Sequence, residues 1–208
     1  RVRSQSNSLT GYPIAFAKIV YQDYEFLEEQ LAISYSDEHV FCFAVDRNVS
    51  DIFLALEMKV ACRLSNISMN NFLRNVLKSG HFHNHAHFDC MHLVLLGRWN
   101  YIILMQNHDI VVKTTAEISM ILKKLNGAND LVIGKSFWHD RCFIRESNFG
   151  KLGLCPGNLD EKEAENCARA NIQLAKGFIH MTLSRETVEY ITNQINITSF
   201  MNMLNEKV

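Results

Sequence analysis

The stretch VFCFAVD at residues 40–46 decides the fold, because it is an almost continuous apolar run that ends at the carboxylate of Asp46. A second run, IAFAKIVY at residues 14–21, precedes it and directly follows Pro13. Short apolar runs rich in branched and aromatic side chains indicate strands that are buried on both faces. The two stretches therefore predict two strands in the interior of a sheet.

Helical patterns separate and follow these strands. Asp23 can cap a helix whose apolar positions recur every four residues, at Leu27, Leu31 and Tyr35. Ser50 can cap a second helix, and one face of that helix consists of Phe53, Leu56, Val60 and Leu64. The first 65 residues are thus predicted to form a strand, a helix, a strand and a helix.

The same alternation continues in the middle of the chain. We predict a helix over about residues 85–96 and a strand over residues 101–105. Thr114 and Glu117 have the spacing of a capping box, in which each side chain satisfies a backbone donor near the other. The helix that begins there is predicted to end at Asn126-Gly127.

The last third of the chain is less regular. Residues 136–171 have no dependable period, and the acidic run at residues 160–165 is interpreted as a solvated face or a loop. A strand is predicted over residues 175–183, after which Ser184 can cap a helix that carries Val188, Ile191 and Ile195. A last short helix begins at Thr198 and carries Phe200, Met203 and Leu204.

Strands that alternate with helices predict an α/β fold with a mainly parallel sheet flanked by helices. In such sheets, ligands bind beyond the carboxyl ends of the strands. The site is therefore expected near residues 21–23, 46–48 and 106–109.

Composition excludes several classes of protein. Of the 208 residues, 48% are hydrophobic and 21% are charged, which argues against an intrinsically disordered chain. The formal net charge of −1 argues against a general electrostatic attraction to nucleic acid or anionic lipid. No apolar run approaches the roughly 20 residues that cross a bilayer. The first residue is Arg1 and not Met, and the polar stretch from Arg1 to Gly11 lacks the apolar segment of a signal peptide or anchor, so we expect the chain to be a fragment or a processed or trimmed product.

The strand ends limit the chemistry further. Residues 21–23 contain no glycine, which argues against a nicotinamide or flavin oxidoreductase whose backbone must approach a pyrophosphate. The chain has no D-x-D motif to hold a divalent ion against a diphosphate, and no G-x-S-x-G motif. Asp46 could accept hydrogen bonds from a ribose hydroxyl or a base imino group. The alternative is that Asp46 caps or turns the chain, and taken alone this is the stronger interpretation.

Other polar residues carry weaker signals. Four alternate histidines could bind a metal only with further ligands, so we interpret them as part of a surface segment at a helix start: His81, His83, His85 and His87. The sequence His108-Asp109 at a strand end could be catalytic, but a structural pair is the simpler hypothesis. Trp99 and Tyr101 are interpreted as core residues. Six scattered cysteines and three N-glycosylation sequons, at Asn48, Asn66 and Asn196, modestly favour the secretory pathway. The alternative is a cytosolic protein with buried free thiols, and composition alone does not decide between the two.

An ordered set of residues resembles the core-2/I-branching β-1,6-N-acetylglucosaminyltransferases. The blocks that carry the resemblance are PIAF at 13–16, VFCFAVD at 40–46, Cys62 before Ser65-Asn66, DCM at 89–91, WNYII at 99–103, Asp109 with Lys113-Thr114 and Glu117-Ile118, and LSRE at 183–186 with Val188 and Tyr190. Their order and spacing are similar to the family over about 150 residues. Residues 136–171 diverge from it.

The resemblance implies a GT-A, Rossmann-like fold that is incomplete at the C-terminus. Residues 1–12 would be a stem or linker remnant, and residues 13–208 the part that binds the nucleotide sugar. The implied protein is a type II Golgi membrane glycoprotein whose luminal domain transfers N-acetylglucosamine from UDP-GlcNAc to a glycan hydroxyl with inversion. No metal or other cofactor is expected, which agrees with the missing D-x-D motif.

The resemblance also implies roles for individual residues. Val20, Tyr21 and Gln22 match the segment that contacts uridine, Asp46 matches the carboxylate that binds the nucleoside, and Lys78 falls at a donor-side position where the family has tyrosine. Cys42 and Cys90 match two cysteines that pair in the family. The pairing of Cys62, Cys142, Cys155 and Cys167 stays open.

The family's catalytic base is a glutamate in a short Asp-Glu motif, which the resemblance places beyond Val208. This chain alone is therefore expected to be inactive. Two alternatives stay open: a related xylosyltransferase, and a non-catalytic luminal or secreted binding protein with a degenerate GT-A fold.

Overall fold

A computed structural model of the chain describes residues 10–51, 66–71, 82–135, 148–172 and 175–206. The chain divides into two compact units. The first unit comprises residues 1–130 and 179–185, and the second comprises residues 131–178 and 186–208. The predicted helix with Phe53 to Leu64 on one face lies outside the described residues, as do Lys78, His81, Cys62 and Cys142.

The first unit contains a five-stranded sheet. Its strands are β1 (Ile14–Val20), β2 (Val40–Val45), β3 (Ile67–Asn71), β4 (Tyr101–Met105) and β7 (Met181–Ser184), in the order β3-β2-β1-β4-β7. The first four strands are parallel, and β7 runs antiparallel to β4. The predicted α/β class with a mainly parallel sheet is confirmed. Every residue of β1 is buried, as expected for a central strand whose two faces are both covered.

Three described helices of the first unit flank this sheet: α1 (Tyr24–Ser34), α2 (His83–Val94) and α3 (Thr115–Leu125). Leu27 and Leu122, from α1 and α3, share one apolar cluster with Phe41 and Phe43 of β2. The side chain of Cys42 points to the other face, because successive strand residues alternate. A disulfide joins it to Cys90, which places α2 on that second face.

The helix ends test the predicted caps. Thr114 and Glu117 form the predicted capping box, and the helix ends at Asn126, which has a left-handed conformation, followed by Gly127 at φ 91°. Asp23 occupies the N-cap position of α1, but the prediction that its side chain caps the helix is wrong. Its backbone is left-handed at φ 59°, and its carboxylate binds His108 instead.

The core prediction for Trp99 and Tyr101 is confirmed, since their exposed fractions are 3% and 2%. The Arg185 guanidinium lies 5.0 Å from the Trp99 ring centroid and donates to the carbonyls of Gly97 and Leu95. A cation at this position satisfies backbone acceptors at the carboxyl end of α2. The junction between α2 and β4 is therefore held by both packing and charge.

The second unit contains a two-stranded antiparallel sheet, β5 (Ile133–Lys135) and β6 (Ala175–Gly177). Its helices are α4 (Glu161–Arg169), α5 (Arg185–Asn193), of which all but the first residue lies in this unit, and α6 (Thr198–Glu206). A disulfide joins Cys155 to Cys167.

Several sequence predictions are corrected here. The acidic run at residues 160–165 is not a loop but the start of α4, where Asp160 and Glu163 form a capping box; the helix buries none of its residues, as a solvated face requires. The single strand predicted over residues 175–183 is two strands in different sheets. The helix predicted over residues 85–96 begins at His83 and ends at Val94. Strands β3 and β5 were not predicted.

The Cys42–Cys90 disulfide, which the family resemblance implies, is present with the two Cα atoms 5.7 Å apart. It ties β2 to α2 across a sequence separation of 48 residues. A cross-link of this span removes a large part of the conformational freedom of the unfolded chain.

We predict that the double variant Cys42→Ala/Cys90→Ala loses about 4 kcal/mol of unfolding free energy, from the loop entropy. Urea unfolding monitored by circular dichroism measures this loss. The matched variant Cys155→Ala/Cys167→Ala opens a separation of only 12 residues and should lose less, about 3 kcal/mol. Peptide mapping without reductant that fails to recover a Cys42–Cys90 peptide would contradict the assignment.

Candidate functional site

The carboxyl ends of β1 and β4 are joined by the side chain of Asn107, which is fully buried. Its Oδ1 accepts hydrogen bonds from the backbone N–H groups of Tyr21 at 2.8 Å and Gln22 at 3.2 Å. Its Nδ2 donates to the carbonyl of Gln22 at 3.0 Å. One amide therefore satisfies three backbone groups that have left the sheet ladder, and it fixes the path of the chain after β1.

Asp23 and His108 form an ion pair or hydrogen bond next to this bridge, with Oδ2 and Nε2 2.6 Å apart. Both side chains are about half exposed. The rings of Tyr21 and Phe26 lie against the His108 ring, with centroids 6.3 and 5.7 Å away. The left-handed backbone of Asp23 is uncommon for a residue with a side chain, and such conformations concentrate at functional sites.

His108 and Asp109 do not pair with each other, so the predicted structural pair is wrong. Asp109 accepts from the backbone N–H of Gln106 at 2.6 Å, and the same Oδ2 lies 2.9 Å from Nε2 of His180. Two separate histidine–aspartate pairs therefore occupy this end of the sheet, because the chain turns between positions 108 and 109 and sends the two side chains to different partners.

Asp46 ends β2 at the same edge of the sheet. Its backbone N–H donates to the carbonyl of Val20 at 3.0 Å, which continues the pairing of β1 and β2. Asp46 as a whole residue is 5% exposed, and its Oδ1 accepts from the backbone N–H of Asn48 at 2.7 Å. The carboxylate thus turns the chain, as the alternative interpretation predicts. This bond also fixes the orientation of the carboxylate at the strand end.

The three predicted site ranges therefore meet at one edge of the first unit. Residues 21–23 and 106–109 contact each other through Asn107 and His108, and residues 46–48 lie alongside through the bond from Asp46 to Val20. Tyr21 is half-buried and Gln22 is exposed. The edge presents aromatic rings, carboxylates and amides, which suit a flat polar ring with hydroxyl groups more than a bare phosphate.

A separate cavity of about 250 Å³ lies between α1 and the sheet. Its lining is mainly apolar and includes Phe16, Phe26 and Met105. Within it, Lys18 donates to the side chain of Gln30 and to the carbonyl of Asp109. The cavity is therefore linked to the strand-end site through Asp109, whose backbone carbonyl accepts from Lys18 and whose carboxylate lies against His180.

The described members of the histidine cluster lie in α2, where His83, His85 and His87 are buried. The surface interpretation is therefore wrong for these three. Neither ring nitrogen of His87 has a hydrogen-bond partner among the described residues, nor has Nδ1 of His83. Burial, and then the neighbouring His83 and His180, lower the pKa of His87 from 6.5 to about 3.

Among the residues that the structure describes, no three histidine, cysteine, aspartate or glutamate side chains are placed so that they could hold a metal ion together. None of the helices in this part of the chain is long and apolar enough to cross a bilayer.

The sequence profile of the Core-2/I-Branching enzyme family matches residues 14–206. The chain belongs to this family. Over 199 residues it is 28% identical to the beta-1,3-galactosyl-O-glycosyl-glycoprotein beta-1,6-N-acetylglucosaminyltransferase of Bos taurus, covering 94% of this chain and 46% of the relative. It is 30% identical over 211 residues to the Homo sapiens protein of the same name, with coverages of 96% and 46%. The chain thus spans about half the length of the curated relatives it matches.

Among solved structures, the chain is similar to the mannosyltransferase Ktr4p from S. cerevisiae. The identity is 12% and the TM-score is 0.42, with 99% of this chain and 63% of that chain covered.

In this Core-2/I-Branching chain, the sequence predicted which strand ends meet, but it did not predict the role of Asn107 or the partners of His108 and Asp109. The position of Asn107 after an apolar strand was the available signal, because a polar residue there often satisfies backbone groups. Lys78 lies outside the described residues. Whether Val20, Tyr21, Gln22 and Asp46 contact a nucleotide stays a prediction.

Replacing Asn107 tests the bridge. Asn107→Ala removes the side chain that makes three hydrogen bonds with the backbone of Tyr21 and Gln22, so we expect a loss of about 1 to 3 kcal/mol of unfolding free energy. Asn84→Ala is the matched control, since Asn84 is exposed on α2 and should change stability by less than about 0.5 kcal/mol. Equal losses in urea unfolding for the two variants would refute the bridging role.

The lowered pKa of His87 predicts that acid decreases the stability of the folded protein. Its unfolded pKa of 6.5 exceeds its folded value of about 3, so only the unfolded state takes up this proton between those pH values. Above pH 6.5, His87 is neutral in both states and does not lower the unfolding free energy. As the pH falls from 6.5 towards 3, the unfolding free energy should decrease by about 1.4 kcal/mol per pH unit.

Urea unfolding measured between pH 7 and pH 4.5 checks this slope. His87→Leu should flatten the pH dependence, whereas Asn84→Gln, at an exposed position of the same helix and without a titratable group, should leave it unchanged. An identical slope in the wild type and in His87→Leu would show that His87 does not remain neutral in the folded protein.

Proposed function

We propose that this chain forms the donor-nucleotide-binding part of a GT-A N-acetylglucosaminyltransferase in the Golgi lumen. The complete enzyme would transfer N-acetylglucosamine from UDP-GlcNAc to a glycan hydroxyl, forming a β-1,6 branch with inversion at the anomeric carbon. Membership of the Core-2/I-Branching family supports the reaction class. The single observation that carries the site assignment is the meeting of Asp46, the Tyr21–Gln22 backbone and Asn107 at one sheet edge.

Uridine suits this edge for chemical reasons. A uracil ring has one imino donor between two carbonyl acceptors, and a ribose adds hydroxyl groups. The Asp46 carboxylate can accept from the imino group or a hydroxyl, and its orientation is already fixed by the Asn48 N–H. Tyr21 offers an aromatic ring at the same sheet edge, where it lies against the His108 ring. We propose Val20, Tyr21, Gln22 and Asp46 as nucleoside-binding residues, with Lys78 as a donor-side residue.

We propose that the diphosphate is neutralised by Lys and Arg side chains and not by a divalent metal. The absence of a D-x-D motif in the sequence supports this. Basic side chains stabilise the charge that develops on the leaving UDP as the bond to the anomeric carbon breaks.

The attacking hydroxyl needs a general base to accept its proton. We propose that a glutamate of the complete enzyme outside this chain supplies that base. The residues described here would then bind and orient the donor so that its anomeric carbon faces the acceptor.

Calorimetric titration with UDP tests the site. Asp46→Asn keeps the shape of the side chain and its bond to Asn48 but removes the charge. We therefore expect it to weaken UDP binding roughly 10-fold or more, the usual scale for a hydrogen bond to a charged group. Asp37→Asn is the matched control, because Asp37 is exposed and precedes β2 at the opposite end of the strand.

The same titration distinguishes donors and metal dependence. UDP-GlcNAc should bind at least as tightly as UDP-xylose, and GDP-mannose should not compete. Addition of EDTA should leave the affinity unchanged, whereas strict dependence on manganese would contradict the metal-free mechanism. Unaltered UDP affinity in Asp46→Asn would contradict the nucleoside assignment.

A further inference from the structure

The three N-glycosylation sequons lie in different surroundings. Asn48 and Asn196 are exposed, whereas Asn66 is half-buried. We propose that Asn48 and Asn196 carry N-linked glycans in the folded protein and that Asn66 does not. The proposal rests on the luminal location that is part of the proposed function. It does not depend on which nucleotide the protein binds.

The chemistry makes the side-chain nitrogen the deciding atom. An oligosaccharyl pyrophosphate lipid donates the sugar: the bond from its anomeric carbon to the pyrophosphate oxygen breaks, and a bond to Nδ2 of asparagine forms. Nδ2 loses one hydrogen as a proton, and the lipid pyrophosphate leaves with the bonding electrons. The product keeps the side-chain oxygen as an acceptor and has a single N–H donor.

Both hydrogens of the Asn66 side-chain amide are used within the first unit. Nδ2 donates them to the carbonyl of Ser36 at 3.0 Å and to the carbonyl of His39 at 2.7 Å. Oδ1 lies 3.1 Å from the Tyr35 hydroxyl, which it shares with the Asp37 carboxylate at 2.7 Å. Ser36 and His39 are themselves buried. A sugar on Nδ2 would remove one of these bonds and would occupy the space between the turn and the start of β2.

Asn66 thus has a structural role that competes with modification. Its backbone carbonyl also accepts from the N–H of Phe41 at 2.9 Å, at the point where β2 and β3 begin to pair. The side chain and backbone together tie the turn before β2 to the start of β3. A chain glycosylated at this position could not form the complete tie.

Asn48 and Asn196 are arranged differently. The turn at Asn48 is held by its backbone N–H, which donates to Asp46, and its side-chain amide makes no hydrogen bond with the described residues. Asn196 uses Oδ1 to accept from the N–H of Thr198 at 3.1 Å, at the start of α6. Glycosylation leaves Oδ1 intact, so the bond to Thr198 survives modification.

Secretion of the chain from mammalian cells with a cleavable leader tests the proposal. The secreted protein is treated with peptide N-glycosidase in isotopically labelled water, and the sequon peptides are analysed by mass spectrometry. We expect labelled aspartate at positions 48 and 196 and unmodified asparagine at position 66. Occupancy of Asn66 in the folded secreted protein, or an empty Asn48 or Asn196, would overturn the proposal.

Matched variants remove each sequon without changing its asparagine. Ser50→Ala and Thr198→Val should each lose one glycan on a denaturing gel, whereas Ser68→Ala should run unchanged. Asn66→Ala should lower the melting temperature by several degrees even in protein made without glycans, and Asn48→Ala should not. A stable Asn66→Ala variant would refute the structural role of Asn66.

The outcome is separable from the proposed function. If the glycans occupy the predicted positions but protein made without glycans does not bind UDP, the sequon assignment stands and the transferase assignment fails. If UDP binds and the occupancy pattern is different, the sequon assignment alone fails.

Discussion

The burial of β1 between two parallel neighbours is the constraint on which the rest of the structure depends. Val20 pairs with Val45 of β2, and Lys18 pairs with Met105 of β4. Because all three strands run in the same direction, the segments that follow them leave the sheet at one edge. The polar groups of that edge come from positions as far apart in sequence as residues 21 and 107, and only the strand pairing brings them together.

The backbone groups at the ends of parallel strands need hydrogen-bond partners, and in this chain polar side chains supply them. Backbone groups that leave the ladder must find new partners when they are buried. Asn107 supplies partners for the chain after β1, and the Asp46 carboxylate supplies one for the turn after β2. One of these side chains, the Asp46 carboxylate, is also the proposed nucleoside ligand. The side chains that support the backbone at these turns therefore belong to the same sheet edge as the candidate binding site.

The local parts of this arrangement could be predicted from sequence because they depend on neighbouring residues. The apolar runs predicted β1, β2 and β4, and the spacing of Thr114 and Glu117 predicted the capping box of α3. The non-local parts could not be predicted in this way. Asp23 has the local pattern of a helix cap, but its carboxylate binds His108, which lies 85 residues further on. Similarly, nothing in the sequence of β7 indicates that it pairs antiparallel with β4.

The family resemblance gave two predictions that the hydrophobic periodicity could not give, a cysteine pairing and a candidate nucleoside ligand. It implied the link between Cys42 and Cys90, which the structure contains, although the spacing of six cysteines leaves many pairings open. It also selected Asp46 from the 22 acidic residues as a candidate nucleoside ligand. The structure holds this carboxylate in a fixed orientation at the end of β2, next to the point where β1 ends at Val20.

The most direct test of the central claim is a two-dimensional amide NMR titration of the isotopically labelled protein with UDP. The account predicts saturable shifts at the amides of Tyr21, Gln22 and Asn48, with the side-chain amide of Asn107 shifting in the same concentration range. Shifts confined to the second unit, or no shifts at a saturating UDP concentration, would contradict the claim that the nucleotide binds where β1, β2 and β4 end.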